Sequence, residues 1–375
     1  MPTRALLILA LAPFLLIAAA TGAPAADDAV TRIPLLPPRP GNPRNSEGAF
    51  IKLEDGRILF VYTHFTGGGG DHDAAHLASR ESSDGGQTWT AEDVVVLPNE
   101  GGRNVMSVSL LRLAPGEIGL FYLRKDGTDN CRLYLRRSRD EAKTWSEPTL
   151  CMDQAGYFVV NNDRVILTKS GRLVVPACRH ELNAAKRHNP GTALCFLSDD
   201  LGRTWRHGTT ELVPPPASRS GLQEPGVVEL RDGRLMMLCR TDQGSQFRSY
   251  SRDGGDTWEP AVPTDILSPL SPASVKRIPS TGDLLMVWND HASIAPELKA
   301  KRTPFTVAIS KDDGATWGPS RILEDNPEGW YCYTAILFEG DRVLLGHCAG
   351  DRKVGGLNRT QITSIPVGWL YGEAK

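Results

Sequence analysis

The octapeptide Ser82-Ser83-Asp84-Gly85-Gly86-Gln87-Thr88-Trp89 constrains this chain more than any other stretch, because it recurs. Further copies start at Ser138, Ser198, Ser251 and Ser310, so that successive starting serines lie 56, 60, 53 and 59 residues apart. The shared pattern is S-x-D-x-G-x-T-W, and Ala142 is its one departure. A repeat at this spacing marks a repeated supersecondary unit. Ser and Asp side chains bond nearby backbone amides in tight turns. Glycine supplies the positive φ that a hairpin turn needs, and Thr-Trp restarts a strand. Turn chemistry accounts fully for Asp84, Asp140, Asp200, Asp253 and Asp312, so the repeats are read as structural rather than catalytic.

Between the repeats lie short apolar runs after turn residues, such as Ile58 to Tyr62 after Glu54-Asp55-Gly56. Similar starts follow Gly171, Gly233 and Gly282, and long helical periodicity is absent. Units of about four short strands, repeated through the chain, predict an all-β six-bladed β-propeller. The last blade lacks the repeat, and its expected closure joins Thr360–Trp369 to the N-terminal segment Val30–Leu36. The Pro-rich stretch Pro34–Pro43 reads as an extended connector within one domain, residues 27–375.

Residues 1–26 read as a cleaved signal peptide. Arg4 opens it, Ala5–Ala20 is apolar, and Ala23-Pro24-Ala25 offers a small-residue cleavage site. The mature chain is therefore expected to be secreted or periplasmic, with no membrane span. The full chain is 40 % hydrophobic and 23 % charged, the composition of a globular protein, and its net charge of −2 gives no reason to expect a nucleic-acid partner. None of the seven cysteines forms a close pair that would make a zinc site, and buried free thiols are expected. No metal or other cofactor is called for.

A propeller gathers residues distant in sequence at one end of its axis. Five polar segments stand near the expected inner strands: Asn42–Gly48, Gly67–Asp73, Gln223–Gly226, Lys299–Arg302 and Trp330–Tyr333. With the five repeats, these segments resemble the sialidase (neuraminidase) superfamily, whose Asp-boxes have this pattern. The resemblance spans nearly the whole mature chain. It implies three arginines that clasp a carboxylate, a tyrosine nucleophile, a glutamate that activates it and an aspartate acid/base. By position it implies Glu224 as activator, Arg240 and Arg302 as second and third arginines, Tyr331 as nucleophile and Asp71 as acid/base. For the first arginine, Arg32-Ile33-Pro34 has the family's letters but precedes the Pro-rich connector. Arg44 directly precedes a strand and is preferred.

The chemistry fits these residue types. Guanidinium groups bind a sugar carboxylate through charge-assisted bonds. A carboxylate nucleophile would be repelled by that group, whereas a neutral tyrosine is not, and a neighbouring glutamate can take its proton. The expected activity is that of a retaining exo-α-sialidase acting on sialylated glycans. Two alternatives stand beside it: a glycosidase or lyase for another anionic saccharide, and a non-catalytic carbohydrate-binding propeller.

Overall fold

The structure is a computed structural model that describes residues 30–183 and 189–372 besides Met1. The expected signal peptide lies, apart from Met1, outside the described residues. After β1 (Thr31–Leu36), a four-stranded antiparallel sheet forms from β2 (Arg44–Lys52), β3 (Ile58–Phe65), β4 (Ala75–Ser82) and β5 (Val94–Leu97). β6 (Asn104–Ala114), β7 (Glu117–Lys125), β8 (Cys131–Ser138) and β9 (Thr149–Leu150) follow in the same order. Next come β10 (Tyr157–Val159), β11 (Ile166–Leu167), β12 (Leu173–His180), β13 (Thr192–Ser198) and β14 (Arg206–His207). These nine strands make one sheet, joined where Tyr157 of β10 pairs in parallel with Cys131 of β8.

Two further four-stranded sheets follow. One holds β15 (Gln223–Glu229), β16 (Leu235–Arg240), β17 (Ser245–Ser251) and β18 (Val262–Leu267). The other holds β19 (Ser274–Arg277), β20 (Leu284–Trp288), β21 (Phe305–Ser310) and β22 (Arg321–Glu324). The final sheet is β23 (Gly329–Glu339), β24 (Arg342–Asp351), β25 (Thr360–Pro366) and β1, which pairs antiparallel with β25. The first strand among the described residues thus closes the last sheet, and the fold is a β-propeller.

Burial follows from this arrangement. Strands sandwiched between neighbouring sheets are apolar along their length, as in β3, where Ile58–Thr63 are all buried. Outer strands have one neighbour less, and β18 is mostly exposed. The repeats bind the periphery together. Asp84 Oδ1 accepts from the amides of Gln87 at 3.0 Å and Thr88 at 2.9 Å, Oδ2 accepts from the Thr88 hydroxyl at 2.6 Å, and Ser82 Oγ accepts from the Gly86 amide at 2.9 Å. The fifth position is left-handed in each copy, with φ of 89° at Gly86, 86° at Gly202, 94° at Gly255 and 82° at Gly314. Ala142 takes the same conformation, φ 64°, without being glycine. The tryptophan then packs between sheets: Trp89 lies against Phe50 and Phe60 of its own sheet in a cluster that includes Leu344 and Ile362 of the last.

The axis is filled by the segment after β10. Asn162 Nδ2 donates to the carbonyl of Gly48 at 2.7 Å and that of Tyr333 at 3.1 Å, tying the first sheet to the last. Arg164 donates to Ser274 Oγ and the Ala273 carbonyl. All seven cysteines are free and buried. Among the described residues no helix is long and apolar enough to cross a membrane.

Candidate active site

Four inner strands carry the same irregularity. β2, β6, β15 and β23 each shift register against their neighbour, the mark of a β-bulge. A non-glycine residue with positive φ sits in each bulge: Glu47 at 56°, Ser107 at 58°, Glu224 at 44° and Tyr333 at 57°. Such a conformation costs on the order of 1–3 kcal/mol and persists where surrounding structure enforces it, often at functional sites. All four side chains line one cavity of about 450 Å³, together with Asp71, Lys125, Tyr157, Arg240, Arg302 and Trp330. The bulges therefore aim one side chain from each of four strands at a common space.

At its centre the Tyr333 hydroxyl donates to Glu224 Oε1 at 3.3 Å, and Glu224 Oε2 forms an ion pair with Arg240 Nη1 at 2.7 Å. Arg302 lies 5.1 Å from the Trp330 ring and 5.3 Å from the Tyr333 ring, and donates to Cys332 Sγ at 3.0 Å. Burial, then the charge of Glu224, holds the Tyr333 phenol well above its ordinary pKa, so that it rests neutral.

Tyr331, expected as the nucleophile, does not face this cavity. Its ring packs in the core at a centroid distance of 5.7 Å from Phe305, with Val307 and Leu345 in the same cluster. Burial raises its pKa to about 12, with Glu324 the next cause. In a regular strand Tyr331 and Tyr333 would share a face. The bulge between Cys332 and Ala335 breaks that alternation and sends them to different places.

Arg240 and Arg302 line the cavity as expected. Arg44 is 1 % exposed, and its guanidinium is already engaged. Nη1 meets Asp71 Oδ1 at 2.6 Å, Nη2 meets Glu47 Oε2 at 3.3 Å, and Nε donates to Ser46 Oγ at 3.0 Å. The expected convergence of three arginines is thus two arginines in the cavity and a third behind it, holding carboxylates. Arg32 lies on the outer strand β1, where it pairs with Glu324 at 2.8 Å.

Asp71 reaches the cavity from the loop between β3 and β4. Its carbonyl accepts from Lys125 Nζ at 2.6 Å and Asn104 Nδ2 at 3.1 Å. A Cβ on the neighbouring Gly68 would lie 2.3 Å from Asp73 Oδ2, so a larger residue there would displace that carboxylate. Burial opposes ionisation of Asp71, but the charge and hydrogen bond of Arg44 prevail and hold its carboxyl below the ordinary range. Glu47, Lys125, Tyr157 and Trp330 were not expected as site residues from sequence. Glu47 and Trp330 stood inside segments singled out there. Among the described residues no group of three or more His, Cys, Asp or Glu side chains is placed to hold a metal ion.

The sequence pattern of the BNR repeat-like domain matches residues 65–346. The chain belongs to this family, within the sialidase superfamily. It is 26 % identical over 337 residues to a sialidase of Micromonospora viridifaciens, an alignment covering 80 % of this chain and 49 % of that protein. The chain thus spans about half the length of that relative. Among solved structures it is similar to a Dyadobacter fermentans protein of unknown function, with a TM-score of 0.71, 18 % identity, and coverage of 90 % of this chain and 99 % of that one. It is also similar to Trypanosoma rangeli sialidase, with a TM-score of 0.69, 15 % identity, and coverage of 91 % and 60 %. At these identities the two structures speak for the fold.

Proposed function

We propose that this protein is a retaining exo-α-sialidase whose nucleophile is Tyr333. The observation that carries this reading is the hydrogen bond from the Tyr333 hydroxyl to Glu224 in a cavity also lined by two guanidinium groups. The substrate carboxylate binds Arg240 and Arg302. As Tyr333 attacks the anomeric carbon, Glu224 takes the phenolic proton, and the Arg240 contact stabilises the carboxylate before transfer. A carboxyl group across the cavity protonates the departing oxygen, then accepts a proton from the water that releases the sugar. Asp71, the residue expected from sequence, and Glu47 both border the cavity.

The six-bladed count belongs to the same reading. It is supported by the four-stranded sheets and by the division of the nine-stranded one at a single parallel bridge. So does export, which rests on Arg4, the apolar run Ala5–Ala20 and Ala23-Pro24-Ala25. A second reading, hydrolysis or elimination on another acidic saccharide, draws on the engagement of Arg44 by Glu47 and Asp71, which leaves two arginines in the cavity. Parallel assays with fluorogenic sialosides, uronides and neutral glycosides separate these. Turnover of the sialoside alone is expected, and turnover of a uronide in its place would overturn the assignment.

A further inference from the structure

We propose that Glu47, rather than Asp71, is the carboxyl group that exchanges protons with the leaving oxygen and the incoming water; this rests on the glycosidase reading above. Placement is the first argument. Glu47 occupies the bulge of β2, as Glu224 and Tyr333 occupy those of β15 and β23, and its side chain borders the same cavity. It is thereby presented by the rigid inner strand, whereas Asp71 comes from a loop.

Availability is the second. Asp71 Oδ1 is held by Arg44 Nη1 at 2.6 Å, a charge-assisted bond that favours the ionised form. An aspartate kept ionised has no proton to give. Glu47 meets Arg44 at 3.3 Å and Ser46 Oγ at 3.2 Å, both through Oε2. Its Oε1 has no hydrogen-bond partner among the described residues, and the residue borders the cavity.

Environment is the third. Burial favours the protonated form of Glu47; Arg44 on its own strand opposes that, Asp71 on the loop and Glu224 on β15 reinforce it, and Lys125 at the end of β7 opposes it. The balance raises the Glu47 carboxyl from 4.5 to about 7, near the value that serves an acid in one step and a base in the next. In the first step, Glu47 gives its proton to the glycosidic oxygen as the carbon–oxygen bond breaks and the Tyr333–carbon bond forms, while Glu224 takes the phenolic proton. In the second, the Glu47 carboxylate takes a proton from water as its oxygen bonds to the anomeric carbon. The electron pair of the broken tyrosyl bond returns to the Tyr333 oxygen, which recovers its proton from Glu224.

Two measurements on the full-length mature protein test this. The first needs no substrate: infrared titration of the carboxyl absorbance in wild type, Glu47→Gln and Asp71→Asn. A protonated carboxyl that titrates near pH 7 is expected in wild type, at a lower pH in Asp71→Asn, where one of the charges that raise it is gone, and not at all in Glu47→Gln. Its survival in Glu47→Gln, or its loss in Asp71→Asn, overturns the proposal. The second compares an aryl sialoside with a good leaving group, which needs no acid, with an alkyl sialoside, which does. Glu47→Gln is expected to lose kcat/KM on the alkyl substrate on the order of 10²-fold more than on the aryl one. The same selective loss in Asp71→Asn, and not in Glu47→Gln, overturns the assignment. Wild type that turns over neither sialoside overturns the glycosidase reading, and the titration still decides whether Glu47 is the protonated group. If Glu47→Gln does not fold, the titration of Asp71→Asn decides.

Discussion

The Tyr333 hydroxyl lies 3.3 Å from Glu224 Oε1, while Tyr331, two residues earlier on the same strand, packs against Phe305 in the core. One β-bulge separates a phenol placed to react from a phenol placed to pack. The two tyrosines therefore respond differently to the same substitution. Tyr331→Phe removes a hydroxyl that does not border the cavity, so kcat is expected to stay within a few-fold of wild type, measured on a fluorogenic sialoside.

Arg240 and Arg44 separate binding from scaffold. On the proposed reading Arg240 holds the substrate carboxylate in both ground and transition states, so Arg240→Ala is expected mainly to raise KM. Arg44→Ala leaves the buried Glu47 and the adjoining Asp71 without their shared cation. Removing one partner of a buried ion pair costs about 3–5 kcal/mol, so at pH 8, where Glu47 is charged, the denaturant midpoint is expected to fall well below that of wild type. Equal midpoints would contradict the role given to Arg44.

Glu47 also makes stability depend on pH. Its carboxyl is raised from 4.5 to about 7, so burial disfavours the charged form. A raised folded-state value means that the contribution of Glu47 is fully present below pH 4.5 and is lost as pH rises through 7. The full loss corresponds to about 3 kcal/mol. Glu47→Gln carries no such charge. The unfolding free energy of the variant relative to wild type is therefore expected to rise by about that amount between pH 4.5 and pH 8, and a flat difference would refute the assignment.

Much of the fold could be read from the chain because the repeat is local chemistry. Ser82, Asp84, Gly86, Thr88 and Trp89 make their turn largely with one another, so five copies declare five equivalent turns. That Glu224, Arg240 and Arg302 share one cavity was legible through the resemblance, which matched the segments in which they stand. That Tyr333 rather than Tyr331 borders their cavity was not. Alternation along Trp330–Ala335 treats the strand as regular, and nothing in those letters announces the bulge that turns Tyr333 alone to the cavity. Glu47 escaped for another reason. An acidic residue three positions after Arg44 reads as a solvated loop charge until its burial is known.

The peripheral turns predict opposite effects for two substitutions. Asp253→Ala removes the acceptor of the Thr257 amide at 2.9 Å and of the Thr257 hydroxyl, and is expected to cost on the order of 1 kcal/mol with kcat/KM of the folded enzyme unchanged. Ala142→Gly relieves a left-handed alanine, φ 64°, and is expected to stabilise by about 0.5–1 kcal/mol. Thermal unfolding measures both. Loss of activity in folded Asp253→Ala would contradict a purely structural repeat, since Asp253 does not border the cavity of Tyr333.

The most direct measurement is covalent trapping. The protein is incubated with 2,3-difluorosialic acid as its glycosyl fluoride, which forms a tyrosyl adduct that water releases slowly, and the adduct is located by peptide mass spectrometry. The account predicts one adduct, on Tyr333, absent from Tyr333→Phe and retained in Tyr331→Phe. An adduct on Tyr331, or full turnover by Tyr333→Phe, would contradict it.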